Sequence, residues 1–135
     1  MLARRAKRNI GCAAAKGEVI AHFDSDDYSG PGRIEEQLRV LRQTEMAVTG
    51  YTSILFFNES RNEAYRLRPG PTNWACGTSL MYTRQYWQTN NFQDRSVAED
   101  TLFCKSAAEQ AAIFAIDGRD MIVALDHDTN TSPRD

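Results

Sequence analysis

Apolar and polar residues follow two different periods along this chain, which predict strands and helices in turn. Residues 19–23 are β-branched, small or aromatic and predict a buried strand. Residues 33–43 carry apolar side chains at spacings of four and three, which predicts an amphipathic helix with Ile34, Leu38 and Leu41 on its inward side. A chain in which strands alternate with helices is typical of the α/β class of folds.

The remaining segments continue this alternation. Residues 3–16 are rich in Ala, Arg and Lys and predict a helix, which Gly17 ends with a left-handed cap. Residues 96–110 predict another helix, and its inward side chains are those of Leu102, Phe103 and Ala107. Further strands are expected at residues 46–57 with an interruption at Gly50, at 65–68 along a sheet edge, within 74–82 after a loop, at 113–116 and at 121–125.

Three carboxylates, those of Asp24, Asp26 and Asp27, occupy four positions directly after the predicted strand 19–23. Carboxylates at this density repel one another and need a compensating cation. Ligands of open α/β sheets bind just outside the carboxyl ends of the strands, and hard oxygen ligands suit Mg²⁺ or Mn²⁺. The stretch therefore predicts a divalent metal with an anionic ligand such as a diphosphate, and the inert alternative is a capped acidic turn.

Composition narrows the class of protein. With 135 residues, of which 41% are hydrophobic, the chain predicts one globular domain with a real core, and its net charge of −2 argues against nucleic acid as the main partner. No apolar run approaches the roughly 18 residues of a membrane span. The three cysteines are odd in number and lack CxxC spacing, which argues against a disulfide framework or a zinc site and favours the cytoplasm.

Two stretches of the sequence, the aromatic cluster and the acidic stretch that begins at Asp24, allow more than one interpretation. Tyr86, Trp87 and Phe92 form an aromatic cluster that we expect in the core, and a wall for a sugar ring is the other interpretation. An EF-hand loop that begins at Asp24 is excluded, because it would need an oxygen ligand at Tyr28 and glycine where Ser29 stands. A phosphatase of the haloacid dehalogenase type, whose first Asp is the nucleophile, stays open as an alternative enzyme.

Several segments resemble, in the same order, the second half of a family 2 glycosyltransferase. They are Arg8-Asn9-Ile10-Gly11 with Ala15-Lys16-Gly17-Glu18, the DxD-like Phe23-Asp24-Ser25-Asp26-Asp27, Pro31 with Arg33 and Gln37, Gly77-Thr78-Ser79-Leu80-Met81-Tyr82, the ED-like Glu99-Asp100-Thr101-Leu102-Phe103, and the His-containing residues 127–132. The resemblance implies an α/β fold, namely a truncated GT-A (Rossmann-like) mixed sheet flanked by helices, and one partial family 2 domain over residues 1–135.

The resemblance also implies a difference from the family. Family members begin with a strand, a "P.YN" loop and a second strand that ends in "DDGS", and nothing similar precedes residue 3 here. We therefore expect the strands that hold the nucleotide base and ribose to be absent from this chain. A sheet that lacks them has an unpaired edge, so we expect a homo-oligomer or a fragment.

Site residues are carried over from the family as expectations. The donor would contact Asp24, Arg8 and Asn9, the metal would be Mn²⁺ or Mg²⁺ held by Asp26 and His127, and the supporting acids would be Asp27 and Glu99. Asp100 would be the general base, and Glu99 lies about 100° around the helix from it, so the two acids cannot share that role equally. The helix dipole favours acids at this position whatever their function.

The expected function is that of a metal-dependent inverting glycosyltransferase, or a fragment of one. It would transfer a sugar from a nucleotide-sugar donor to a hydroxyl of a saccharide or another acceptor. The alternative from a different class is a non-catalytic remnant of such a domain that self-associates. Dependence of activity on a nucleotide-sugar would distinguish the first hypothesis from the phosphatase, and tight binding of a nucleoside diphosphate with Mn²⁺ would argue against the remnant.

Overall fold

The computed structural model describes residues 4–93 and 99–126. Helices and strands alternate along this part of the chain, as the sequence predicts. The helices are α1 (Arg4–Ala14), α2 (Arg33–Thr44), α3 (Arg84–Thr89) and α4 (Glu99–Glu109), and a 3-10 helix spans Gly77–Ser79. The strands are β1 (Val19–Ala21), β2 (Tyr28–Ser29), β3 (Val48–Thr49), β4 (Tyr51–Ser53), β5 (Leu55–Asn58), β6 (Glu63–Arg66), β7 (Met81–Thr83), β8 (Ile116–Asp117) and β9 (Ile122–Leu125).

The strands form three small sheets that contain both parallel and antiparallel pairs. In the first sheet β7 lies between β1 and β3 and is antiparallel to both, so that Tyr82 faces Ile20 on one side and Val48 on the other. The second sheet has the order β2-β9-β5-β6, in which β5 and β9 are parallel, and β4 pairs with β8 in parallel as the third. The mixed α/β architecture is therefore confirmed, and β6 lies at a sheet edge as expected.

The main hydrophobic core lies around β7 and joins all four helices or the segments next to them. Trp87 and Phe92 are buried in it and Tyr86 packs against it, so the aromatic cluster is core, as expected. The ring of Phe103 stacks on that of Phe92 with a centroid distance of 4.4 Å. These aromatic contacts hold α4 against the segment after α3 and thereby fix the position of the first turn of α4.

The predicted inward side of α2 is confirmed at Leu41 and wrong at Ile34. Ile34 is 40% exposed and Leu38 is half-buried, whereas the buried residues of the helix are Arg33, Gln37 and Leu41. The helical period was correctly predicted, but the helix buries a polar stripe. The fold tolerates this buried polar stripe because its polar groups are hydrogen-bonded, which removes most of the free-energy cost of burying them.

Several predicted boundaries also differ. Helix α1 ends at Ala14, and no glycine of the described residues has a positive φ, so the left-handed cap at Gly17 is wrong. Strand β1 ends at Ala21 and its residues are half-buried, while Phe23 is exposed. The predicted strand 46–57 is divided into β3, β4 and β5, and the interruption expected at Gly50 is present between β3 and β4.

Within the described residues, no helix is both long enough and apolar enough to span a membrane.

Candidate functional site

The acidic stretch after β1 forms a tight turn, in which the backbone N–H of Asp27 donates to the carbonyl of Asp24 at 3.2 Å. The carboxylate of Asp27 points into the protein, where it accepts from the Thr78 hydroxyl at 2.8 Å and from the Leu125 N–H at 3.2 Å. Asp26 is exposed, whereas Asp24 and Asp27 are half-buried. Asp27 therefore connects the turn to the 3-10 helix and to β9.

A buried arginine lies beneath this turn. The guanidinium of Arg33 is 4.5 Å from the centre of the Phe23 ring and donates to Gln37 Oε1 at 2.9 Å. Burial lowers the pKa of Arg33, and the negative charge of Asp24 acts in the opposite direction. Gln37 in turn donates to the carbonyl of Ser79 at 2.7 Å, so this pair links α2 to the 3-10 helix as well as to the turn.

Sequence reasoning missed this cation. It assigned the compensating charge of the acidic turn to a metal alone, although Arg33 supplies positive charge from inside the protein. The spacing of four that joins Arg33, Gln37 and Leu41 was the available signal, since it places the three side chains on one side of α2. A polar side chain on that side of the helix can be buried only if it has a hydrogen-bond partner there.

The second acidic group lies at the start of α4. The Glu99 side chain is 2% exposed and that of Asp100 is 23% exposed. Arg8 of α1 contacts both acids, with 3.4 Å from Nε to Glu99 Oε1 and 3.3 Å from Nη2 to Asp100 Oδ2. The helix N-terminus also favours negative charge at this position. Of the two acids, Asp100 is the more accessible and the better placed to meet a ligand.

A chain of buried polar groups continues from Arg8. Arg8 Nη1 lies 3.1 Å from His22 Nδ1, and His22 Nε2 lies 2.9 Å from the hydroxyl of Tyr82, which is 3.2 Å from Cys12 Sγ. Burial, together with the charge of Arg8, lowers the pKa of His22 to about 3. Burial is also the main cause that raises the pKa of Tyr82 and of Cys12. At neutral pH this network therefore consists of one cation and uncharged partners.

Gly77 lies directly against Asp100. A methyl group at Gly77 would lie 2.7 Å from Asp100 Cγ and 2.9 Å from Asp100 Cβ, which is closer than real contacts allow. The carbonyl of Gly77 is also 3.0 Å from His22 Nδ1. The 3-10 helix and the first turn of α4 thus approach as closely as they do because residue 77 has no side chain.

The other site residues predicted from the sequence lie in different surroundings. Asn9 is engaged within the protein, where its amide donates to the Phe92 carbonyl at 3.0 Å and its oxygen accepts from Trp87 Nε1 at 3.0 Å. His127 lies outside the described residues. Arg8 is brought to the acid pair, and Asp24, Asp26 and Asp27 form one turn. Contact of Arg8, Asn9 and Asp24 with a donor stays a prediction.

A metal was expected at the acidic turn. In the part of the chain that the structure describes, no three His, Cys, Asp or Glu side chains converge to hold an ion. The donor set nonetheless fits Mg²⁺ or Mn²⁺, because Mg²⁺ is commonly bound by one or two carboxylates together with substrate phosphates rather than by a complete protein cage. Asp26, an exposed carboxylate after a strand, is a ligand of that kind.

Solved structures show to which fold this arrangement is similar. The structure of S. aureus TarS 1–349 superposes with a TM-score of 0.66 at 16% sequence identity, over 92% of this chain and 40% of that chain. Its complex with UDP-GlcNAc gives 0.66 and 16% over 92% and 39%, and its complex with UDP gives 0.66 and 17% over 89% and 39%. This chain thus spans about 40% of the structure it resembles, and the likeness confirms a GT-A type of fold.

The sequence comparisons give the family. No curated protein matches the sequence significantly. The family model described as glycosyl transferase family 2 matches residues 3–108 of the 135, which includes the acidic turn and the start of α4. This match also leaves the haloacid dehalogenase alternative without support. Because the model covers well over half of its length, the chain belongs to glycosyltransferase family 2.

Proposed function

We propose that this domain takes part in metal-dependent, inverting transfer of a sugar from a nucleotide-sugar donor to an acceptor hydroxyl, with Asp100 as the general base. The observation that carries the proposal is the unequal burial of the acid pair that Arg8 binds. Glu99 is 2% exposed and Asp100 is 23% exposed, so Asp100 is the more accessible acid of the pair. Family membership supports the reaction class.

The chemical step needs one base. As the acceptor oxygen forms its bond to the anomeric carbon, the bond from that carbon to the diphosphate oxygen breaks, and the hydroxyl proton passes to the carboxylate of Asp100. A carboxylate is a sufficient base because the proton becomes acidic only as the new bond forms. The guanidinium of Arg8 lies 3.3 Å from Asp100 Oδ2 and donates a charge-assisted hydrogen bond to it.

The donor side of the site is assigned to the acidic turn. Asp26 would hold Mn²⁺ or Mg²⁺, with His127 as a further ligand, and family 2 enzymes generally use a divalent cation. When bound, such a cation neutralises charge on the departing diphosphate. Asp24 would lie near the ribose, and Asp27 keeps the turn in place through Thr78.

The structural neighbour suggests which donor to test first. S. aureus TarS 1–349 has been solved in complex with UDP-GlcNAc and with UDP. Its sequence identity to this chain is only 16%, so it supports the nucleotide-sugar class rather than one sugar. We propose a uridine nucleotide-sugar as donor and a saccharide or another hydroxyl compound as acceptor.

The decisive experiment measures release of nucleoside diphosphate from a panel of nucleotide-sugars, UDP-GlcNAc among them, with and without Mn²⁺. We expect release that depends on the nucleotide-sugar and is lost when a chelator removes the cation. A simple phosphate ester serves as control and should not be hydrolysed. Absence of any nucleotide-sugar turnover together with no binding of UDP and Mn²⁺ would contradict the proposal and favour the non-catalytic remnant.

We also propose that the protein self-associates and acts in the cytoplasm. β1 lies at an edge of its sheet, and the side chains of Ile10, Phe23 and Tyr28 are more than half exposed, which favours a second copy as a cover. All three cysteines are buried, and burial raises the pKa of Cys12 and also that of Cys104, the latter to about 11. Buried thiols of this kind are unreactive, which suits a reducing compartment.

A further inference from the structure

We infer that Arg8 is a positioning residue that fixes Asp100 for proton abstraction by holding it between its own guanidinium and the α-carbon of Gly77. The sequence suggested that Arg8 contacts the donor. The geometry assigns it to the base instead. The inference rests on the proposed function, in which Asp100 is that base.

The first support is the use of the guanidinium itself. Each of its three nitrogens has a partner within the protein: Nε has Glu99 at 3.4 Å, Nη1 has His22 at 3.1 Å and Nη2 has Asp100 at 3.3 Å. The Arg8 side chain is 16% exposed, and its guanidinium carbon lies 5.8 Å from the centre of the Phe92 ring. A planar fork used in this way sets direction as well as charge, which a single ammonium group does not.

The second support is the contact between Arg8 and the buried ring of His22. His22 is buried, and its ring is neutral at physiological pH because its pKa is lowered to about 3. A neutral ring carries one N–H. It therefore either accepts from Arg8 at Nδ1 and donates from Nε2 to Tyr82, or donates from Nδ1 to the Gly77 carbonyl and accepts from the Tyr82 hydroxyl. In the first arrangement the buried ring joins α1 to β7, and in the second it joins the 3-10 helix to β7.

The third support is the contact between Asp100 and Gly77. Asp100 packs against Gly77 so closely that a Cβ there would overlap its carboxyl group. The carbonyl of the same glycine lies 3.0 Å from His22 Nδ1, the atom that also lies 3.1 Å from Arg8 Nη1. The carboxylate of Asp100 therefore lies between the guanidinium of Arg8 and Gly77.

Removal of Arg8 should leave two neighbouring carboxylates, Glu99 and Asp100, without the cation that bridges them. Like charges at this distance push each other apart, so Asp100 would leave the position in which it meets the acceptor. Misplacement by about 1 Å can lower a rate by about 100-fold. The donor does not depend on Arg8 in this account, so its binding should be nearly unaffected.

The test is a double-mutant cycle in the turnover number of sugar transfer. Arg8→Ala should lower kcat by about 10- to 100-fold while the donor KM changes by less than about 3-fold. In an Asp100→Asn background the same change should lower kcat by less than about 2-fold, because a positioning residue has no effect once the group it positions is gone. Arg8→Lys should restore part of kcat. Lys7→Ala, which removes a neighbouring exposed cation of α1, should change neither constant.

The outcomes separate the possible failures. A raised donor KM with unchanged kcat would overturn the inference and return Arg8 to the donor. An equal loss in both backgrounds would show a role that does not act through Asp100. If Arg8→Ala does not fold, Arg8→Lys still decides, because a kcat equal to that of the wild type would overturn the inference. Full activity of Asp100→Asn alone would refute the proposed base, which is a different result from an ineffective Arg8→Ala.

Discussion

The α-carbon of Gly77 and the side chain of Asp100 are in direct contact, although one residue begins the 3-10 helix and the other lies in the first turn of α4. No other residue type fits at position 77 without a shift of the acid, since even a methyl group would lie 2.7 Å from Asp100 Cγ. The glycine thereby determines where the proposed base lies, without any chemical role of its own.

Gly77→Ala should displace Asp100 and lower the rate of sugar transfer by about 10- to 100-fold. It should also lower the free energy of unfolding by about 1–3 kcal/mol, the usual range for an overpacked site. Gly70→Ala is the matched control, because a Cβ at Gly70 meets nothing within 4 Å. Turnover assays and thermal unfolding would measure both effects, and a fully active Gly77→Ala would show that the contact is not needed for catalysis.

In a protein that also contains the nucleotide-binding strands, Asp100→Asn should reduce sugar transfer by about 10²- to 10⁴-fold, a typical contribution of a general base, with nearly unchanged donor binding. The substitution keeps the size of the side chain and removes the proton acceptor. Glu99→Gln is the comparison, since the side chain of Glu99 is 2% exposed. If Glu99→Gln proved the more damaging change, the assignment of the base to Asp100 would be wrong.

Asp26→Asn should weaken the binding of Mn²⁺ in the presence of a nucleoside diphosphate, because a charged oxygen ligand is replaced by a neutral one. Calorimetric titration of both proteins measures the affinity directly. Asp120→Asn provides a control, since Asp120 is an exposed acid in a different turn. Equal affinities in the wild type and Asp26→Asn would remove Asp26 from the metal site.

Acid should destabilise the protein through His22. Its pKa is about 3 in the folded chain against an ordinary value of 6.5, so the unfolded state binds more protons between these values. The stabilising contribution is complete above pH 6.5 and is lost progressively as the pH falls towards 3, which amounts to about 2 kcal/mol between pH 7 and pH 5. Denaturant unfolding at a series of pH values measures it, and His22→Gln should flatten this part of the profile. A wild-type profile that is already flat between pH 7 and pH 5 would contradict the prediction.

The protein should be a dimer or a larger oligomer at micromolar concentration. The position of β1 at a sheet edge and the exposed side chains of Ile10, Phe23 and Tyr28 favour association with a second copy. Light scattering across a dilution series measures the mass, and a clean monomer throughout would count against self-association.

Local patterns in the sequence were enough for the class of fold, because periodicity distinguishes helices from strands whatever partner each element packs against. They predicted the α/β alternation, the edge position of β6 and the burial of Trp87 and Phe92, all of which the structure confirms. The segments around Asp24 and Asp100 also led to the family, since their order along the chain is itself sequence information.

Local patterns could not decide which partner each polar side chain meets. The buried side of α2 is Arg33 with Gln37 rather than Ile34, because Ser79, distant in sequence, offers its carbonyl to Gln37. Arg8 was assigned to the donor from its motif, and only the packing of α1 against α4 shows it bound to the acid pair. The sequence alone determined the class of fold and the family. The tertiary structure decided the pairing of charges, because electrostatic and steric contacts depend on distances between segments that periodicity does not encode.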